Sequence, residues 1–347
     1  MKQLLQTMFF ILLVTQISFA QWYAQTSPTG VCLASVHFED ANNGWVVGCG
    51  GTILRTTNGG TTWNLQTSGT GAHLEDVYFT DLNNGTTVGF GGTILRTSNG
   101  GTTWTQQSSG GTEWDWLYDV FFTDANNGIA VGDWGIILRT TDGGQNWITI
   151  PADPQSAFRG ICFTDSNNGW VVGSGGTILR TTNGGTSWTL QSSPSNLSLW
   201  DVSFIDANNG FIAGGNCEKV SCAGVILGTT NGGNDWSILV DTIGTVFEGI
   251  FFSDANNGTV VGFSGIHRTT DAGITWIKQT NAEITDIVAV FFTDALTGWA
   301  VAKNGGTILH TSNGDNPVPV ELTSFTASAC GNEVTLNWTT ATELNNY

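Results

Sequence analysis

The chain has 347 residues, of which 11% are charged, against the roughly 25% usual for soluble domains. Ten Lys and Arg stand against 28 Asp and Glu, a net charge of −18, which argues against nucleic acid or anionic lipid as a partner because both need clustered cations. Forty-seven glycines without a three-residue period exclude collagen, and 40% apolar content opposes disorder. Abundant Gly, Thr, Asn and Trp point to short strands joined by tight turns.

At the N-terminus, Lys2 precedes an apolar run from Met8 to Phe19, and Ser18-Phe19-Ala20 before Gln21 has the small-x-small form of a cleavage site. Residues 1–20 are expected to be a cleaved secretory signal. The run is too short to span a bilayer, and no later stretch approaches twenty apolar residues. Export permits disulfides. Cys217 and Cys222 bracket the short insertion NCEKVSC and are expected to pair. Cys32 and Cys49 can face each other across one hairpin, with the register left open, while Cys162 and Cys330 read as unpaired. The absence of CxxC and Cys/His clusters gives no reason to expect a metal or cofactor.

From residue 21 onward one unit repeats seven times. Its first strand ends in a turn aspartate: Asp40, Asp81, Asp124, Asp165, Asp206, Asp254 and Asp294, 40 to 48 residues apart. A phenylalanine stands two residues before each, and Val or Ile four before, so period-two alternation puts both on one strand face. The turns read DANNG and close variants, where Asn and Gly tolerate positive φ. A GWVVG-like strand follows, then a glycine turn, a TILRT-like strand, and a closing TTNGGTTW whose tryptophans are Trp63, Trp104, Trp147, Trp188, Trp236 and Trp276. Four short strands per unit of about 42 residues are the signature of propeller blades.

The seventh unit stops before its tryptophan. The missing strand is at the other end of the chain, where Trp22-Tyr23-Ala24-Gln25-Thr26-Ser27 matches Trp63-Asn64-Leu65-Gln66-Thr67-Ser68. The expected fold is all-β: a seven-bladed propeller over residues 21–316, closed by the N-terminal strand, which removes an exposed sheet edge. A Pro-spaced segment over 317–347 is expected to begin an incomplete β-sandwich.

The TTNGGTTW units resemble the Asp-box of sialidases and sortilin-type receptors, with Asp at the named position only in Asp142 and Asp271. The whole unit, FxDxxNGW followed by GGTILRTTNGGTTW, most resembles the photosystem II assembly and stability factor family of seven-bladed propellers. That resemblance covers roughly Gln21 to Asn316 and implies a scaffold that holds protein partners without catalysis. Members of that family use an arginine-rich face, and five arginines here share the third-strand position: Arg55, Arg96, Arg139, Arg180 and Arg268. They either brace the neighbouring box or form a partner patch. The segment ELTSFTAS…EVTLNWTTA resembles the start of the fibronectin type III-like module of type IX-secreted Bacteroidetes-type proteins. This implies a secreted or cell-surface protein of a Gram-negative-type bacterium.

Deviations from the repeat are the best guide to a ligand site, since the scaffold does not require them. The crossing into the third blade carries Trp114, Asp115 and Trp116, and that blade has Asp133-Trp134 at its next mouth-side turn. The fifth blade is entered through Trp200 and Asp201. These residues and Arg159 are candidates for holding a peptide or a sugar, by flat apolar contact and oriented acceptors. The alternative is that the aromatics plug the channel. Asp76, Asp119 and Asp201 share the position five before the turn aspartate, where paired carboxylates suit glycoside hydrolysis and lone ones line a channel. Phe158-Arg159-Gly160-Ile161 only faintly echoes a sialidase motif, seven units are not six, and GxSxG and HExxH are absent. The expectation is a monomeric, non-catalytic binding propeller for a protein partner. The second choice is a carbohydrate-binding module, and a glycoside hydrolase the third.

Overall fold

The computed structural model describes residues 22–109, 115–218, 221–279 and 286–312, together with the backbone of two further strands, Leu322–Cys330 and Glu333–Thr340, which pair as an antiparallel hairpin. The expected signal sequence and Trp114 lie outside the described residues.

Seven four-stranded antiparallel sheets make up the ring. Their innermost strands are Leu33–Phe38, Leu74–Phe79, Leu117–Phe122, Phe158–Phe163, Leu199–Phe204, Phe247–Phe252 and Ile287–Phe292, and each packs against the next, the seventh against the first. The first six sheets run outward in chain order. The seventh takes Ile287–Phe292, Gly298–Ala302 and Ile308–Thr311 from the end of the ring and Tyr23–Gln25 from its start. Tyr23 pairs with His310, Ala24 with Leu309 and Gln25 with Ile308. Trp22 meets Phe292 edge-on at 5.8 Å, as Trp63 meets Phe38 and Trp276 meets Phe252 in their own blades. The N-terminal segment thus supplies both the missing strand and the missing tryptophan.

The core lies between blades. The phenylalanine of each first strand lies flat on its own second strand, which is why that strand opens with glycine. A Cβ on Gly85 would stand 2.4 Å from the Phe79 ring, and one on Gly44 as close to Phe38. On its other side the phenylalanine meets the preceding blade: Phe79 stacks on Trp45 at 3.5 Å, Phe204 on Trp170 at 3.5 Å and Phe252 on Phe211 at 3.7 Å. Gly85→Ala forces that ring aside and is expected to lower stability by about 1–3 kcal/mol. Denaturant unfolding reads this directly, and a loss below 0.5 kcal/mol by the same measure would contradict the account.

Turn chemistry closes each blade locally. Asp40 Oδ1 accepts from the Asn42 and Asn43 amides, and the same pair of bonds recurs at Asp81, Asp124, Asp165, Asp206 and Asp254. In the closing box, Thr56 Oγ1 accepts from the Gly60 amide while Asn58 Oδ1 accepts from the Thr62 amide. Asp142 does the same through the Asn146 amide, so Asn and Asp are interchangeable there as acceptors.

Candidate ligand site at the mouth of the ring

Every innermost strand carries one bulge, in the same place. The register skips one residue between Leu117 and Asp119 and between Phe158 and Gly160, and likewise in the other five blades. A bulge re-aims the side chain of the unpaired residue. The seven bulged residues, six before each turn aspartate, are Ala34, Glu75, Tyr118, Arg159, Trp200, Glu248 and Val288, all half-buried. They form a ring at the channel mouth whose composition the repeat does not fix.

Three of them join. The Arg159 guanidinium lies 3.8 Å from the Tyr118 ring centre and 5.0 Å from that of Trp200. Tyr118 is anchored by its hydroxyl, which donates to Asp133 at 3.1 Å, and Trp200 by its indole N–H, which donates to the Gly215 carbonyl at 2.9 Å. Trp116 extends the row, parallel to Tyr118 at 6.0 Å, and its far side meets Phe90 and His73. Burial pushes the Tyr118 hydroxyl up to about 12 against the pull of Arg159, so it stays a donor. Burial also raises the Glu75 carboxyl, opposed by His73, Lys303 and Arg159.

One wall is the fifth blade, whose strands Gly210–Glu218 and Ser221–Thr229 run nine residues each, with Cys217 bonded to Cys222. Cys32 is bonded to Cys49, and Cys49 N donates to the Cys32 carbonyl across their hairpin. Among the described residues, the one cluster that could hold a metal is that bonded pair with His73. A disulfide offers no thiolate ligand.

The structure therefore brings Trp116, Asp133, Arg159 and Trp200 into one arc. The carbonyl of Asp115 accepts from the Gly92 amide and fixes the crossing that carries Trp116. Trp134 occupies a left-handed position (φ 57°) at its turn, where Gly50 and Gly175 stand in other blades, and is 72% exposed. Tyr118, Glu75 and Phe90 escaped the sequence reading. Comparing the seven blades at the position six before the turn aspartate would have found the first two.

The channel is filled lower down, by residues other than the tryptophans. The position three before the turn aspartate holds His37, Tyr78, Phe121, Cys162, Ser203, Phe251 and Phe291. Ring contacts at about 5 Å link Phe251, Phe291, His37, Tyr78 and Phe121 in turn. Small Cys162 and Ser203 complete the circle, and burial holds the Cys162 thiol at about 12.

The three inner aspartates point sideways. Asp76 Oδ2 accepts from the Val120 amide, Asp119 Oδ2 from the Ile161 amide and Asp201 Oδ2 from the Ile250 amide, each in the following blade. Ser35 Oγ donates to Asp76 Oδ1 at 2.5 Å, and Asp76 and Asp119 share a hydrogen bond. Gly160, at the same position in the fourth blade, lets the next strand approach instead: a Cβ there would stand 2.9 Å from Asp201 Cα.

The third-strand arginines make the bracing contacts. Arg96 Nε donates to the Gly143 carbonyl, Arg139 Nε to the Gly184 carbonyl at 2.8 Å and Arg180 to Asn234 at 3.0 Å, each in the next blade's box. Arg55 lies over Trp45, and Arg268, 4% exposed, donates to the Ala295 carbonyl. Each of the five is thus engaged by a contact within its own blade or with the next. Between the box turns of the first blade and the closing strand lies a shallow cleft of about 440 Å³, lined by Tyr23, Gln25, Asn58 and His310.

Seven sheets, inward bulges and Asp-box-like closing turns define the class, a seven-bladed propeller built from repeats of Asp-box type. The chain belongs to the photosynthesis system II assembly factor YCF48 family, whose profile matches residues 14–73, 65–157 and 153–242. No curated protein matches it. Among solved structures it is similar to YCF48 bound to D1 peptide (20% identity, TM-score 0.67, 84% of this chain and 97% of that one). It is also similar to YCF48 from Cyanidioschyzon merolae (18%, 0.66, 86% and 100%). An ancestral GH74 enzyme shares the fold at 16% identity and TM-score 0.62, over 92% of this chain and 47% of that one. Among the described residues no helix is long and apolar enough to cross a membrane, which leaves β-barrels unaddressed.

Proposed function

We propose that the chain is an exported, non-catalytic propeller that binds a segment of a protein partner across the mouth arc Trp116–Tyr118–Arg159–Trp200. The observation that carries this reading is that the arc is preorganised from residues the scaffold does not need. Its aromatic walls are pinned by hydrogen bonds to Asp133 and Gly215 before any ligand arrives. The relative bound to D1 peptide supports a peptide ligand by analogy of fold. The leader-like residues 1–20 and two disulfides support export, and residues 317–347 are read as a linker with β-sandwich-like strands.

Catalysis is disfavoured by the carboxylates themselves. Asp76 and Asp119 stand in hydrogen-bond contact, closer than the roughly 5–9 Å that either mode of glycoside hydrolysis requires. The test is a screen of the purified exported chain, a monomer in this reading, against a bead-displayed peptide library and a glycan array. Peptide hits are expected to lose at least about tenfold in affinity in Trp116→Ala, at unchanged unfolding midpoint. Binding to glycans alone, or release of reducing ends from any glycan, would overturn the reading.

A further inference from the structure

We propose that Arg159 is the anion anchor of the mouth and that the ligand presents a carboxylate to it. The proposal rests on the protein-binding reading above and specifies its chemistry. Arg159 stands at a bulged position where the other blades carry Ala34, Glu75, Tyr118, Trp200, Glu248 and Val288, so ring closure does not call for a guanidinium there. The five third-strand arginines are placed against neighbouring blades. Arg159 differs: its guanidinium lies against the rings of both Tyr118 and Trp200 and shares a side-chain hydrogen bond with Tyr118. Its Nε is buried with no hydrogen-bond partner, and among the described residues it forms no ion pair.

With aromatic rings beside it and one hydrogen bond to Tyr118, the guanidinium still has donors to offer a ligand. That planar fork matches a carboxylate in two parallel bonds. The acids nearby are otherwise engaged or held off: Asp133 accepts from the Tyr118 hydroxyl, and burial favours the neutral form of Glu75. The one other lysine or arginine beside this ring, Lys303, is bound to Glu248 at 2.6 Å. A single unpaired cation in a strongly acidic chain suits a monoanion better than a phosphate dianion, and at close range it outweighs the distant repulsion that salt screens. The aromatic row toward Trp116 offers flat apolar contact to the residue that carries the carboxylate.

The test uses hexapeptides selected on the intact exported chain from two libraries, one with free C-termini and one amidated, each with and without Asp and Glu. Hits are expected to carry a carboxylate and to lose at least about tenfold in affinity when it is converted to the amide. The library arm in which they arise tells a chain terminus from an acidic side chain. This readout needs no variant, so it survives any folding defect of Arg159→Gln. In that variant, at matched unfolding midpoint, the amide and the acid are expected to bind equally, and Arg159→Lys to recover part of the difference. Hits indifferent to the carboxylate, or hits preferring phosphoserine, would overturn the anchor while leaving the protein-binding reading intact. Binding of oligogalacturonate with no peptide hits would overturn both.

Discussion

Trp299→Ala is expected to remove about 3–5 kcal/mol of stability, more than any other substitution considered. Trp299 is fully buried in the seam between the seventh and first blades. It lies 3.6 Å from Phe38 at an interplanar angle of 11°, donates its indole N–H to the Gly59 carbonyl at 3.2 Å and packs with Leu33, Val36 and Trp63. Alanine leaves a void with rigid strands on every side, and such a site cannot collapse to fill it. Trp45 and Trp170 make the equivalent stack inside the ring, but only Trp299 sits where the two ends of the chain meet. Its loss should therefore also raise hydrogen exchange at Tyr23–Gln25 above that at Thr105–Gln107, the outer strand of the second blade. Trp299→Phe should recover most of the stability, since the chain already uses Phe211 on Phe252 in this role. A loss under 1 kcal/mol in denaturant unfolding would show that the seam does not hold the ring.

The architecture was legible because each structural demand is written seven times. The glycine under each phenylalanine, the turn aspartate and the box tryptophan all recur, and the one missing tryptophan pointed to Trp22. Most of the mouth arc was legible: Trp116, Asp133 and Trp200 stand where the repeat is interrupted, and Arg159 was named as a candidate beside them. Tyr118 was not, because a bulge is a register skip of one residue that leaves no mark in residue type, and only a comparison of all seven blades at that position sets it beside Arg159 and Trp200. The channel filling was hidden too, since its position mixes His, Tyr, Phe, Cys and Ser and has no consensus to notice. Asp76, Asp119 and Asp201 were visible as a set, but the direction of their carboxylates depends on the next blade's amides, which only the closed ring brings near.

Those inner aspartates give the molecule an unusual pH dependence. Desolvation raises the Asp201 carboxyl to about 7, and burial together with the adjoining Asp76 raises Asp119 well above the ordinary range. With an unfolded value near 3.8, the folded protein holds more protons than the unfolded chain between pH 4 and 7. Stability from these groups is then complete below pH 4 and is lost as pH rises through 7. For Asp201, about three pK units amount to on the order of 4 kcal/mol. The turn aspartates act in the other direction. Side-chain hydrogen bonds from Asn84, Asn127, Asn168 and Asn209 lower Asp81, Asp124, Asp165 and Asp206, so their contribution is lost as pH falls below 4. Stability should therefore be greatest near pH 4 and decline toward pH 7. Asp201→Asn cannot ionise and should flatten that decline, whatever it does to stability at the peak. The opposing force is concrete: the Val202 and Ile250 amides both donate to Asp201, and each favours the charged form. If those two bonds outweigh desolvation, unfolding midpoints will be level from about pH 5 to 8 and fall only below about pH 4. The presence or absence of a decline between about pH 4 and 7 thus decides whether the ring's inner seam is held by neutral carboxyls or by charged ones.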